Sequence, residues 1–159
     1  MSYKNENMKM IELHENGLDI QFRIRENGVV ELADFSSQEV KKAVMEPKDD
    51  ICYPAVEIHR SGTGSLNMHA YKNNINQSSV DFVYENHELK AQAGGKELEI
   101  VMISPEKLKA VYHMRLFDGV PTVQTWTEII NEGSEDQGLT YVSFFYVSGN
   151  FQRRREDLL

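Results

Sequence analysis

Cysteine is nearly absent: Cys52 stands alone in 159 residues. A single thiol cannot close an intrachain disulfide, and it cannot supply a second thiolate to a zinc centre. Nothing beside it signals the lowered pKa of a catalytic thiol, so Cys52 reads as a small buried apolar group. Long apolar runs are missing too. No 18-residue apolar stretch offers a membrane span, and the opening MSYKNENMKM lacks the apolar run of a secretory signal. A cytoplasmic location without a membrane partner is the expectation. Basic charge is in short supply, with 17 Lys and Arg against 25 Asp and Glu and a net charge of -8. That balance disfavours a phosphate-backbone partner, so no nucleic acid is expected.

Familiar catalytic signatures are also lacking. No GxSxG elbow occurs, and Gly62-Thr63-Gly64 is neither GxGxxG nor GK[ST] and leads into no helix that could hold an anion. The five histidines, His14, His59, His69, His87 and His113, form no HxxxH or HxH pattern. They fall on different predicted strands and loops, so any shared site depends on tertiary proximity. The reading is therefore catalytic residues none, metal none and cofactor none. Glu57, Asp118 and Glu128 are acids near aromatics, but sequence alone cannot pair carboxylates for glycoside chemistry.

What is present is period-two alternation. Residues 18–25 place Leu18, Ile20, Phe22 and Ile24 on one face, between turns at Asn16-Gly17 and Glu26-Asn27-Gly28. Residues 29–35 repeat the pattern, and 56–59 form a strand entering the turn at 61–64. Residues 36–50 read as a connecting loop with a short helical turn, ended by Pro47. Residues 72–78 read as a polar loop. Strands are predicted at 80–85 and 88–93, joined by a turn at Asn86-His87, and at 98–103 after the hairpin Gly94-Gly95.

The richest stretch is 111–145, read as three strands and two turns. Tyr112, Met114 and Leu116 alternate with His113, Arg115 and Phe117 before the turn at Asp118-Gly119. Val123, Thr125, Thr127 and Ile129 share one face of the next strand, and Gln124, Trp126, Glu128 and Ile130 the other. A third strand runs 139–147. Strands about every ten residues, with no internal repeat, point to an all-β antiparallel sandwich. The predicted organisation is a polar N-terminus at 1–10, a sandwich at 11–147 and a polar tail at 148–159, whose three arginines sit beside two acids as a solvated face. Trp126, the only tryptophan, could form a sugar-stacking platform with Tyr112, Phe117, Phe144, Phe145 and Tyr146; aromatics at strand spacing more often serve as core.

Two segments, YPAVEIHRSGTG and KLKAVYHMRLFDGVPTVQTWTEIINEGSEDQGLTYVSFF, resemble the N-terminal domain of the α-galactosidases of glycoside hydrolase family 36. The resemblance rests on a strand entering a Gly-rich turn and on a Tyr-to-Asp hairpin, here Tyr112 to Asp118. It continues in a Trp-x-Glu-x-x-Asn-x-Gly strand end, here Trp126, Glu128, Asn131 and Gly133, and in Val142, Ser143 and Phe145. It covers roughly residues 15–146. It implies a galactose-mutarotase-like supersandwich placed before a catalytic barrel, with the two catalytic aspartates in that barrel. No residue here matches them. The resemblance thus implies a non-catalytic, structural or sugar-contacting domain, incomplete relative to the family's. Candidate sugar contacts are Trp126, His59 and Arg60. Expected partners are an α-galactoside sugar and either a second copy in a homodimer or a barrel-containing chain, since an incomplete sandwich exposes an apolar face.

Overall fold

A strand with one apolar face needs cover on that side only, and this demand sets the architecture. The computed structural model describes residues 9–37, 53–64, 68–69, 72–73 and 76–145. In chain order the elements are β1 (Lys9–Glu15), β2 (Leu18–Ile24), β3 (Val30–Ser37), β4 (Ile58–Arg60), β5 (Met68–His69), β6 (Lys72–Asn73), the one-turn helix α1 (Gln77–Val80), β7 (Val83–Gln92), β8 (Gly95–Ile103), β9 (Leu108–Phe117), β10 (Val123–Asn131) and β11 (Leu139–Val142). β1, β2 and β3 form a three-stranded antiparallel sheet. β10, β9, β8 and β7 form a four-stranded one in that order, every pairing antiparallel. The chain is an all-β antiparallel sandwich, as the alternation predicts. No described helix is long and apolar enough to cross a membrane.

The core lies between the two sheets. Leu18, Ile20, Phe22 and Ile24 of β2 are all buried, as are Leu98, Ile100 and Met102 of β8 and Ala110, Tyr112, Met114 and Leu116 of β9. The Phe22 and Tyr112 rings meet edge-on at 5.7 Å across the interface. Each large side chain buried this way contributes about 1.5–3 kcal/mol. The apolar face of the four-stranded sheet is thereby covered by the chain's own β1–β3. The large apolar residues left exposed include Leu139, Tyr141 and Phe144 around β11.

β4 sits differently. One edge pairs with β11, and Ser143 Oγ accepts from the Glu57 amide. Along the other edge, where a strand would normally dock, hydroxyls from α1 substitute for it. Ser79 Oγ accepts from the Ile58 amide at 2.9 Å, Ser78 Oγ accepts from the Arg60 amide at 3.2 Å, and both hydroxyls donate to the Ile58 carbonyl. Ser78 and Ser79 are buried, so these bonds satisfy backbone groups that water cannot reach. Asn76 caps the helix by accepting from the Ser78 amide, and Thr63 Oγ1 donates to Asn76 and to the Arg60 carbonyl. The glycine-rich turn at 61–64 is thus anchored to α1, inside a stretch that the sequence presents only as polar loop.

Two further differences have physical causes. The expected turn at Asn86-His87 does not form. β7 runs continuously through it, with a register shift between Tyr84 and Asn86 that absorbs one extra residue as a bulge. The third strand of the 111–145 stretch ends at Val142 and pairs with β4. Cys52, Tyr146, the 38–51 connection and the tail at 148–159 lie outside the described residues.

Candidate functional site

Pairing registers bring the polar residues of the four-stranded sheet into rows on its outer face. His113 of β9 lies opposite Trp126 of β10 on one side and Glu99 of β8 on the other, with Glu88 of β7 beyond. The next row is Gln124, Arg115, Glu97 and Lys90. Directly opposed side chains on one face stand about 5 Å apart at Cβ, so these rows are in contact range.

At their centre is His113, only 7% exposed although none of the described sheets is stacked on this side. Trp126 shields it: the two rings stack at 4.6 Å and 5° from parallel. Its Nδ1 lies 3.0 Å from Glu97 Oε1 and 3.9 Å from Glu99 Oε1. Its Nε2 faces Glu128 Oε2 at 3.8 Å and has no hydrogen-bond partner among the described residues. Glu97 is 6% exposed and takes a second bond at Oε2 from Gln92 Nε2, at 2.7 Å. Glu99 Oε2 accepts from Lys90 Nζ at 2.5 Å, and this bond, outweighing some desolvation, raises the Lys90 pKa. The donor atoms of Glu97, Glu99 and His113 all lie within 4.8 Å of one another, a spacing one metal ion can bridge.

A second polar centre surrounds β4. Arg60 is 8% exposed and joins three elements, bonding Asp81 after α1 at 3.2 Å and Glu106 in the β8–β9 turn at 2.7 Å. Burial alone would raise Glu106, but hydrogen bonds from Arg60, its own amide and Ser104 hold its carboxyl below the usual range. Glu106 lines an open hollow of about 530 Å³ between that turn and the 132–137 loop, beside Glu132 and Glu135. His59 Nε2 lies 2.8 Å from Glu57 Oε1, and its ring sits 5.0 Å from that of Tyr141.

No family profile matches the chain. No curated protein matches it. Among solved structures it is similar to a glycosidase. That structure is the family 36 α-galactosidase AgaA from Geobacillus stearothermophilus, at 13% identity and a TM-score of 0.49. The match covers 80% of this chain and 23% of that one, so this chain spans about a quarter of that protein's length.

The three candidate sugar contacts fall into two places. His59 and Arg60 belong to the β4 centre. Trp126 projects from β10 on the side opposite Thr127, and it is Thr127 that bonds Ser143 beside β4. The imagined aromatic platform also separates. Tyr112 points into the core, where burial pushes its phenol pKa up against a smaller opposing bond with Thr125. Phe145 packs against Phe35, Phe117 lies under the Arg115 guanidinium, and Phe144 is exposed. Histidines that look scattered in sequence acquire carboxylate neighbours: His14 with Asp19, His59 with Glu57, His113 with Glu97. Glu97 and Glu99 are the residues that sequence reasoning missed. Their signal was positional: a β8–β9 hairpin turning at residues 104–107 sets Glu99 opposite His113, and one turning beside Gly119 sets Trp126 on its other side.

Proposed function

We propose that this chain is a non-catalytic β-sandwich module of the kind found N-terminal in family 36 α-galactosidases, making weak contact with an α-galactoside through its Trp126 face. The observation that supports the sugar contact is the setting of Trp126. The indole is half-buried, locked by stacking on His113, and flanked on the same face by exposed Gln124 and Glu128 and by Arg115. A fixed aromatic plane among donors and acceptors suits a ring that is apolar on its face and hydroxylated at its rim. The motif resemblance supplies the sugar class, and it implies that the family's catalytic aspartates lie in a barrel rather than in a sandwich of this kind. Association with a second copy or a barrel-bearing chain completes the reading, with Leu139, Tyr141 and Phe144 as its apolar contacts.

Titration with galactose or raffinose is the test. Saturable quenching of Trp126 emission, with no turnover of a chromogenic α-galactoside above a buffer blank, is the expected outcome. A flat titration removes the sugar contact. Turnover that survives purification replaces the module with a self-sufficient enzyme using a carboxylate pair.

A further inference from the structure

We propose that Glu97, Glu99 and His113 form a binding site for a divalent transition cation of the Zn²⁺ or Mn²⁺ kind on the outer face of the four-stranded sheet. The inference is independent of sugar binding. It begins with hydrogen-bond inventory. A neutral imidazole has one N–H and one lone pair. If the proton sits on Nδ1 toward Glu97, the Nε2 lone pair faces the Glu128 carboxylate, acceptor against acceptor. If it sits on Nε2, the Nδ1 lone pair faces two carboxylate oxygens, those of Glu97 and Glu99. Either way one end of a ring more than nine-tenths buried is left opposed, and Nε2 indeed has no partner among the described residues.

A cation on the Nδ1 side removes both conflicts. It accepts the lone pair together with one oxygen from each of Glu97 and Glu99, and it forces the ring proton onto Nε2, aimed at Glu128. Donor atoms bound to one ion at about 2.1 Å stand about 3.0–3.5 Å apart. The observed Nδ1 separations are 3.0 Å to Glu97 and 3.9 Å to Glu99, and all three donor atoms lie within 4.8 Å of one another, so closure requires the Glu99 carboxylate to swing inward. The outer partners are in place. Gln92 holds the second oxygen of Glu97, Lys90 holds the second oxygen of Glu99, and Trp126 covers the imidazole. Such second contacts fix ligand orientation in metal sites. One imidazole and two carboxylates suit Zn²⁺ or Mn²⁺ better than Ca²⁺ or Mg²⁺, which favour all-oxygen shells.

The sole tryptophan reports on the site directly. Full-length chain is stripped with EDTA and titrated with ZnCl₂, following Trp126 emission and calorimetric stoichiometry. A saturable change at one equivalent is expected, with affinity reduced at least about tenfold in Glu97→Gln and His113→Gln. Glu99→Gln alters a more exposed position and keeps the test valid if the buried variants unfold. His14→Gln, on β1, should bind as the parent does. No saturable response to Zn²⁺ or Mn²⁺, an undiminished response in both Glu99→Gln and His113→Gln, or a response to Ca²⁺ and Mg²⁺ alone overturns the site.

Discussion

Gly94 and Gly95 are neighbours in one hairpin, yet they should respond very differently to the same added methyl group. Gly94 has φ +76 and nothing within 4 Å of a Cβ built on it, so Gly94→Ala meets only backbone strain, about 1–2 kcal/mol for an L residue in the left-handed region. At Gly95 a Cβ would lie 1.9 Å from the Leu116 carbonyl oxygen and 3.0 Å from its carbon. Those atoms belong to the β9 backbone, so relief means pulling β8 away from β9 where Gly95 pairs with Phe117. The adjacent bond from the Asp118 amide to the Gly94 carbonyl goes with it. Two backbone bonds at about 1 kcal/mol each, plus about 1–3 kcal/mol of residual overpacking, put Gly95→Ala at about 3–5 kcal/mol. At about 2–4 °C per kcal/mol for a chain this size, its Tm should fall by about 6–20 °C. Urea unfolding of both variants, followed by Trp126 emission, measures the contrast. Equal destabilisation by the two substitutions would refute the steric argument.

Three further outcomes follow from the same geometry. Phe22→Ala should cost about 3–5 kcal/mol because Phe22 is 0% exposed and fills the space over Tyr112, while Leu89→Ala on β7, 43% exposed, should stay within about 0.5 kcal/mol; chemical denaturation checks both. Glu106 has a folded-state pKa below its ordinary 4.5, so its stabilising contribution is full above that value and is lost as pH falls through the lower, folded-state one. Urea midpoints measured from pH 6 down to pH 3 should therefore drop less steeply in Glu106→Gln than in the parent. Arg60→Met takes the buried cation away from Asp81 and Glu106 and should destabilise the chain while leaving Zn²⁺ affinity at Glu97 and His113 unaltered, as paired unfolding and titration experiments would show.

Much of the sandwich was legible because its signals are local. β2 alternates without exception, Asn-Gly and Gly-Gly mark the tight turns, and β8 and β9 flank a short break at Ser104-Pro105. The misreadings have local causes as well. Asn86 and His87 have turn chemistry, but tertiary pairing with β8 carries β7 straight through them and places the irregularity in a bulge. α1 is four residues long, too short for a helical period to register. The β4–β11 pairing joins segments about eighty positions apart, which no turn rule reaches. The outer-face cluster failed for another reason. Glu97, Glu99, His113 and Trp126 are ordinary strand residues one by one. Only two hairpin registers, taken together, reveal that they meet.

The hydroxyls of Ser78 and Ser79 on β4 have a consequence for synthesis. β4 emerges from the ribosome long before its strand partner, since Ile58–Arg60 must wait for Leu139–Val142. An unpaired strand edge during that interval invites pairing with another chain. α1, some twenty residues on, can occupy one edge of β4 soon after it appears, bonding the Ile58 and Arg60 amides through side chains alone. One edge of the most delayed strand is thus closed for good soon after it appears, leaving only the β11 edge open, and Ser78→Ala with Ser79→Ala, which also strands buried backbone groups of β4, should both raise aggregation during expression and lower the stability of the folded chain.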